Sequence, residues 1–449
     1  MATNLLNRFG QRLVAFVAGE DGSERACADI PEQACHEQRR NFACNLANGA
    51  ASKLAEQLAG PNLVLVWLLQ LIGSPLWMLG FLMPIKQTAA LLPQLAVAGQ
   101  IRRLARRKWL WVGGALMQAL CLLLMLPVAH SLSPAVAGGV ILLLLALFSM
   151  ASGSASVAFQ DVLGKTIAKG RRGRLLSLRA LVGGLLTLAA GALLSLLRRT
   201  DDSLALVQGL LLAAAGLWLV SAVCFALIRE DAGATEGARN PLAEVRHGLT
   251  LVRRSSGFRR FLQLRALLLC VELAPPFYFM HLHSLGLVDG STVGLLVAAV
   301  GLAQLISSPF WGRLADETSR RVMQHSALLA TAAALLALLL TALPVAGLQK
   351  ALYLLAFVLI GLAEAGVRLG RKTYLVDAIP RQERASCAAL SNSLVGLLAL
   401  LLGGLGFIAQ SAGALSLILL LGAVSGAAAL LCQRLPEADA LLAALQAQD

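Results

Sequence analysis

The chain has 449 residues, of which 58% are hydrophobic and only 14% charged, and a formal net charge of +14; its mean hydropathy is +0.74. So much apolar surface exceeds what a water-soluble core can hide, which excludes an ordinary soluble domain. Runs of about 18 or more apolar residues recur along the sequence, and because lipid offers the backbone no hydrogen-bond partners they must cross a bilayer as helices.

In chain order, residues 1–40 form a leading segment. Within it, 4–18 (NLLNRFGQRLVAFVA) spaces apolar residues helically around Arg8 and Arg12, which predicts an interfacial amphipathic helix rather than a signal peptide. Spans are predicted near 42–66, 75–98, 109–130, 134–158, 175–197 and 204–228. A polar stretch, 229–260, separates these from a second set near 261–285, 291–312, 322–346, 350–370, 386–410 and 412–433. The expected domains are therefore a segment 1–40, a six-helix bundle 41–228, a linker 229–260, a second bundle 261–433 and a tail 434–449.

Basic residues concentrate in alternate connections. Arg102, Arg103, Arg106, Arg107 and Lys108 fill one; Lys165, Lys169, Arg171, Arg172 and Arg174 fill the next but one. Arg253, Arg254, Arg259 and Arg260, then Arg313, Arg320 and Arg321, then Arg371, Lys372, Arg381 and Arg384 continue the alternation. The connections between hold only Arg198, Arg199 and Lys350. This is the positive-inside pattern: it predicts twelve transmembrane helices with both termini in the cytoplasm, and it leaves a nucleic-acid role little to explain. The eight cysteines form no CxxC pair, and Cys27, Cys35 and His36 fit no common zinc spacing, so free thiols and no metal site are expected.

Polar landmarks repeat at nearly one offset. Gly99 and Gly312 lie 213 positions apart, and IAKGRR (167–172) and IPRQER (379–384) lie 212 apart, which reads as a duplicated six-helix unit. After the eighth span, Gly312, Leu314, Ala315, Asp316, Arg320 and Arg321 in WGRLADETSRRV resemble the loop motif of the major facilitator superfamily, roughly G-x-L-A-D-x-x-G-R-R, with Ser319 in place of the second glycine. The earlier copy, GQIRRLARRKWL, keeps Gly99, Arg107 and Lys108 but has Arg103 where the acid stands. The resemblance covers 41–433. It implies an all-α membrane protein of two six-helix bundles that carries a small solute by alternating access, with helices 1, 4, 7 and 10 lining the path. Gly312 is expected to let helix 8 approach a neighbour, and Asp316, near the start of helix 9, to meet a helix end or Arg320. Gly312, Asp316, Arg320 and Arg321, with Gly99 and Arg103, are the predicted gating motif.

Polar residues inside spans are costly in lipid and therefore informative. Asn41, Asn45, Asn48, Ser52 and Glu56 share one helical face, predicting a cavity stripe, with hydrogen bonding between helices as the alternative. Ser149, Ser152 and Ser156 mark helix 4 for a cavity or for close packing. Three acids are candidates for proton coupling. Glu56 has Lys53 at i−3 and Glu364 has Arg368 at i+4, while Glu272 has only Arg265 on its own helix, two turns away. Glu272 is thus the expected proton carrier. Asn45, Asn48, Ser52, Lys53, Arg265 and Arg368 are expected to line the cavity. Pro275 and Pro276 predict a break one turn later, and His281 and His283 are expected to be exposed near the far end.

Enzyme signatures fail: GKT at 164–166 lacks the first P-loop glycine, and HEQRR has Arg40 where a zincin needs histidine. No catalytic group or cofactor is expected. Helix 5 (LVGGLLTLAAGALL) has glycines without the proline of the drug-antiporter pattern, so multidrug export gains no support. The expected partners are a small-molecule solute, protons and the bilayer, the expected state is a monomer, and Arg-rich, Lys-poor usage suggests a bacterial inner membrane. The same acids serve uptake or export. A non-transporting membrane receptor or scaffold of the same fold is the alternative.

Overall fold

The computed structural model describes residues 36–101, 104–196, 203–232, 252, 254–341, 346–380 and 383–446. The leading segment 1–35 and most of the linker lie outside them, as does Arg103. All regular structure among the described residues is helical.

The first span is two rods, α1 (Gln38–Leu58) and α2 (Val64–Leu71). Between them Gly60 precedes Pro61, which has no N–H with which to continue the ladder. Leu65 N donates instead to Gly60 O at 3.1 Å. A 3-10 turn (Leu76–Phe81) then opens the second span and α3 (Leu82–Ile101) completes it. The first half closes with α4 (Lys108–Ser131), α5 (Pro134–Thr166), α6 (Lys169–Leu196) and α7 (Ser203–Ala226).

The seventh span is α8 (Ser256–Leu273) followed by α9 (Pro275–Ser284), broken at the predicted prolines. Next come α10 (Gly290–Glu317), α11 (Ser319–Thr341) and α12 (Ala346–Ala378). The eleventh span joins α13 (Arg384–Leu402) to α14 (Gly406–Ala412) through a short 3-10 turn, and α15 (Ala414–Gln433) is the twelfth. A tail helix, α16 (Ala438–Gln446), packs on α12. Among the described residues ten spans are long and apolar enough to cross a membrane, and the two interrupted rods 38–71 and 76–101 precede them. The result is an all-α integral membrane protein of two six-helix bundles.

The helix-to-helix face of α11 is built from small residues and its outer face from large ones. On α11, Ala327, Ala330, Ala333, Ala334 and Ala337 are buried, while Leu328, Leu335, Leu338 and Leu339 are exposed. In lipid a leucine gains nothing by hiding from the solvent, so helices associate through close backbone approach instead.

The halves meet along two seams. In the first, α6 and α10 run antiparallel, and an added Cβ at Gly301 would lie 2.6 Å from Leu188 N, one at Gly184 2.9 Å from Leu305 Cδ2. Gly191 fits likewise against Ala298 N, and Gly294 against Ser195 N. Gly184 and Gly191, two of the helix 5 glycines noted in the sequence, form this contact surface. In the second seam, Gly80 fits against Gly403 and Gly406, Trp77 stacks on Phe407 with centroids 5.1 Å apart, and Thr88 Oγ1 donates to Gly396 O at 2.8 Å. Both seams are tight toward the end of the bundle opposite residues 38 and 433.

At the other end, each half fastens the segment that follows its last span. The fully buried Glu230 carboxylate accepts from Arg107 N at 3.0 Å, Lys108 N at 2.8 Å and Lys165 Nζ at 3.1 Å, and Asp161 bridges Arg107 and Lys165. In the second half Arg320 pairs with Glu437 at 2.6 Å and donates to Leu435 O at 3.1 Å, while Tyr374 Oη donates to Pro436 O at 2.8 Å. Arg320 and Tyr374 stand 213 positions after Arg107 and Asp161, the offset that separates Gly99 from Gly312. Removing Glu230 strands two backbone donors and leaves the Lys165 ammonium with Asp161 as its remaining carboxylate. Glu230→Ala is expected to cost about 3–5 kcal/mol, read as a lowered unfolding midpoint of purified protein, with Glu230→Gln costing less because it keeps one acceptor. Unchanged midpoints in both variants would refute this role.

The loop motif is corrected by its own helices. α10 runs to Glu317 and α11 starts at Ser319, leaving Thr318 alone between them, so Asp316 lies in the last turn of α10 and not at the start of the next helix. A Cβ at Gly312 would meet nothing within 4 Å, so that glycine permits no close approach here. Arg320 is held by the tail, and Arg321 is exposed with its N–H on Thr318 Oγ1. Gly99 lies within α3. At the opposite end Asp289 caps α10, accepting from Thr292 N at 2.7 Å and Lys350 Nζ at 2.8 Å. Burial alone would raise its carboxyl, but the bonds from Lys350, Ser291 and Thr292 outweigh that and hold it below the usual carboxylate range.

Candidate functional site

Between the bundles lies a cavity with about 920 Å³ of empty space, continuous in part with solvent. The broken first span contributes Glu56, Ala59 and Pro61, α3 contributes Met83, Lys86, Gln87 and Ala90, and α5 contributes Leu145, Phe148, Ser149 and Ser152. From the second half come Glu272 on α8 and Glu364, Arg368 and Arg371 on α12. A second cavity shares Glu56, Lys86, Glu364 and Arg368 with it and adds Lys53, Gly60 and Asn62. A third, inside the first half, is lined by Ser52, Lys53, Glu56, Ser156 and Arg179 among others. The segment at 59–63 thus faces the cavities, where freed backbone groups can be solvated.

All three candidate acids reach this region, and each has a cation. Lys53 Nζ lies 2.9 Å from Glu56 Oε2, and Arg368 Nη2 lies 2.9 Å from Glu364 Oε1. Both are the local pairs expected from spacing. Glu272 is not alone: Arg371 Nη2 lies 3.4 Å from its Oε1, with the carboxylate side chain only 7% exposed. The expectation of an unpartnered acid fails because its cation comes from another helix.

Other expectations are corrected in the same way. Asn45 and Asn48 are fully buried and serve helix packing. Asn48 Nδ2 donates to Ser221 Oγ on α7 at 2.8 Å, and Asn45 Nδ2 donates to Asn41 O at 3.0 Å while its own carbonyl accepts from Arg179. Asn41 ties Arg229 N at 2.9 Å. The stripe therefore divides: its upper part is glue, and only Ser52 and Glu56 reach a cavity. Arg265 is buried against α13, donating to Ser391 Oγ and, at 2.6 Å, to Asn392 Oδ1. His281 is buried and bonded to Tyr353 Oη, contrary to the exposed reading, whereas His283 is exposed. Sequence reasoning missed Lys86 altogether and read Arg371 only as part of a basic connection, not as a cavity residue. Lys86 sits inside an apolar predicted span, and intramembrane cations are functional candidates by default.

Fold and site together define a twelve-helix, two-bundle membrane protein with a charged central cavity. The family model described as Major Facilitator Superfamily matches residues 271–444, so the second half of the chain is similar to that superfamily. No curated protein matches the sequence. Among solved structures, the fold is similar to the nucleoside transporter NupG, with 14% identity over 87% of this chain and 98% of that one and a TM-score of 0.66. It is similar to the inward-open xylose transporter XylE from E. coli, with 14% identity over 92% and 99% and a TM-score of 0.64. A POT family transporter in complex with 5-aminolevulinic acid matches with 13% identity over 88% and 96% and a TM-score of 0.65.

Proposed function

We propose that the chain is a secondary active transporter that moves a small solute by alternating access, coupled to protons. The observation that carries this reading is the cavity itself: carboxylates and cations contributed by both halves surround it, and the halves are sealed against each other toward one end. A rocking motion about such a site would exchange which end is open. The basic clusters around Arg107, Lys165, Arg259 and Arg320 lie at the unsealed end, which supports assigning that end to the cytoplasm. The conformation is then inward-facing, and Glu272 with Arg371 is the coupling pair, since a proton on the acid would release the arginine. Transport-coupled neighbours support the class only; uptake and export are both compatible with these acids.

Two measurements test it. In a cysteine-free background, labels at the exposed positions Ser131 and Ala412 should react with an impermeant reagent from the periplasm, and labels at Ser256 and Gln433 should not; the reverse pattern would overturn the orientation. Proteoliposomes screened for solute counterflow should show exchange, and imposing a pH gradient should drive net uptake. A receptor or scaffold would bind solute without counterflow.

A further inference from the structure

The charges of the central cavities do not balance. Their carboxylates are Glu56, Glu272 and Glu364; their cations are Lys53, Lys86, Arg179, Arg368 and Arg371. Three of the cations pair with the three acids. Arg179 is occupied otherwise, donating to Asn45 O at 2.8 Å with its guanidinium 4.4 Å from the Phe159 ring centroid. Lys86 remains, with no hydrogen bond or ion pair among the described residues. It lines both of the cavities that meet between the halves, beside Glu56 and Glu364, each of which already has a closer cation.

A half-buried ammonium without a bonded counter-ion is a ready partner for an arriving anion, which would share the cost of its partial desolvation. The wall of the same cavity includes Leu65, Met83, Leu122, Met125, Leu145 and Phe148. That wall has no use for an inorganic ion but would cover a hydrocarbon body. We infer that the transported solute is an organic anion, an acidic group on an apolar or aromatic frame, with Lys86 receiving the acidic group. Lys86 is then a substrate-binding residue. The inference rests on the transport reading and names its substrate class.

The test is a stability screen of the purified full-length protein. The probes are aromatic and branched aliphatic monocarboxylates, each compared with its uncharged amide and its matching amine at constant ionic strength, with chloride and inorganic phosphate as further arms. At least one carboxylate should raise Tm by several degrees where its amide and amine do not, and the inorganic ions should do less. Lys86→Gln should weaken that carboxylate at least about tenfold, and Lys86→Arg should retain it, because the loss is that of a charge-assisted bond. The ligand-free Tm of both variants reports whether they fold. Stabilisation by amines or amides alone, by inorganic anions as well as by organic ones, no shift with any carboxylate, or an undiminished shift in Lys86→Gln would each overturn the inference. Counterflow separates the two readings: exchange of an amine and of no carboxylate leaves transport standing and ends this proposal, while Lys86-dependent carboxylate binding without counterflow does the opposite.

Discussion

Gly191→Val is expected to force the sealed end of the bundle open. A Cβ at that position meets the backbone of α10 at Ala298 N and, 2.6 Å away, Gly294 O; backbone cannot swing aside as a side chain can. Overpacking of this kind costs about 1–3 kcal/mol, and under the proposed alternating access, in which this seam parts in the other state, the cost falls on the sealed conformation and shifts a two-state equilibrium by roughly 5–150-fold. A cysteine at the cavity position Ser149 should then react from the sealed side at least about tenfold faster than in the unmodified protein, and counterflow should slow. Gly139→Val is the control, because an added Cβ there meets nothing within 4 Å, and it should change neither measurement. Equal effects of the two substitutions, or none at Gly191, would refute the seam as the element that holds this state.

The second large effect is expected at the pair joining α8 to α12. Glu272→Gln leaves Arg371 without its carboxylate in a mostly enclosed setting, and breaking a buried pair costs about 3–5 kcal/mol, whereas removing both members is far cheaper. A purely structural pair therefore predicts that Glu272→Gln/Arg371→Gln restores both the unfolding midpoint and the flux. A coupling pair predicts that the double variant restores the midpoint alone. Flux driven by a pH gradient should stay at background in both variants while solute counterflow survives, since the amide keeps the shape of the acid but holds no exchangeable proton. Recovery of gradient-driven flux in the double variant would sink the coupling role.

What the sequence disclosed was set by range. Lys53–Glu56 and Glu364–Arg368 are legible because three or four positions along a helix place side chains side by side. Glu272–Arg371 is 99 positions apart, and no periodicity reports which face of the tenth span turns toward the seventh. The apolar spans made the all-helical membrane fold legible, and the offset of 212 to 213 residues pointed to two sets of helices. The interruption at Gly60–Pro61 was written plainly as a turn signal, yet the strong apolar run behind it reads as one continuous span. The asparagine stripe misled for a physical reason: spacing fixes the face but not what covers it, and Ser221 of α7 covers Asn48. In the loop motif, charge density suggested a break where the helices continue to within one residue of each other.

The division of residue sizes on α11 inverts the usual rule for which substitutions matter. In a water-soluble core, trimming a buried leucine is the severe change and enlarging a surface alanine is harmless. Here Leu335 and Leu339 point outward and Ala330, Ala333 and Ala337 point inward. Shortening those leucines removes contacts that acyl chains replace, while adding even two or three carbons to one of the alanines must push whole helices apart. On α11 variation should accordingly be tolerated at the outward leucines and fenced off at the inward alanines, so that those alanines, with no chemistry of their own, hold as much of the architecture as any charged pair.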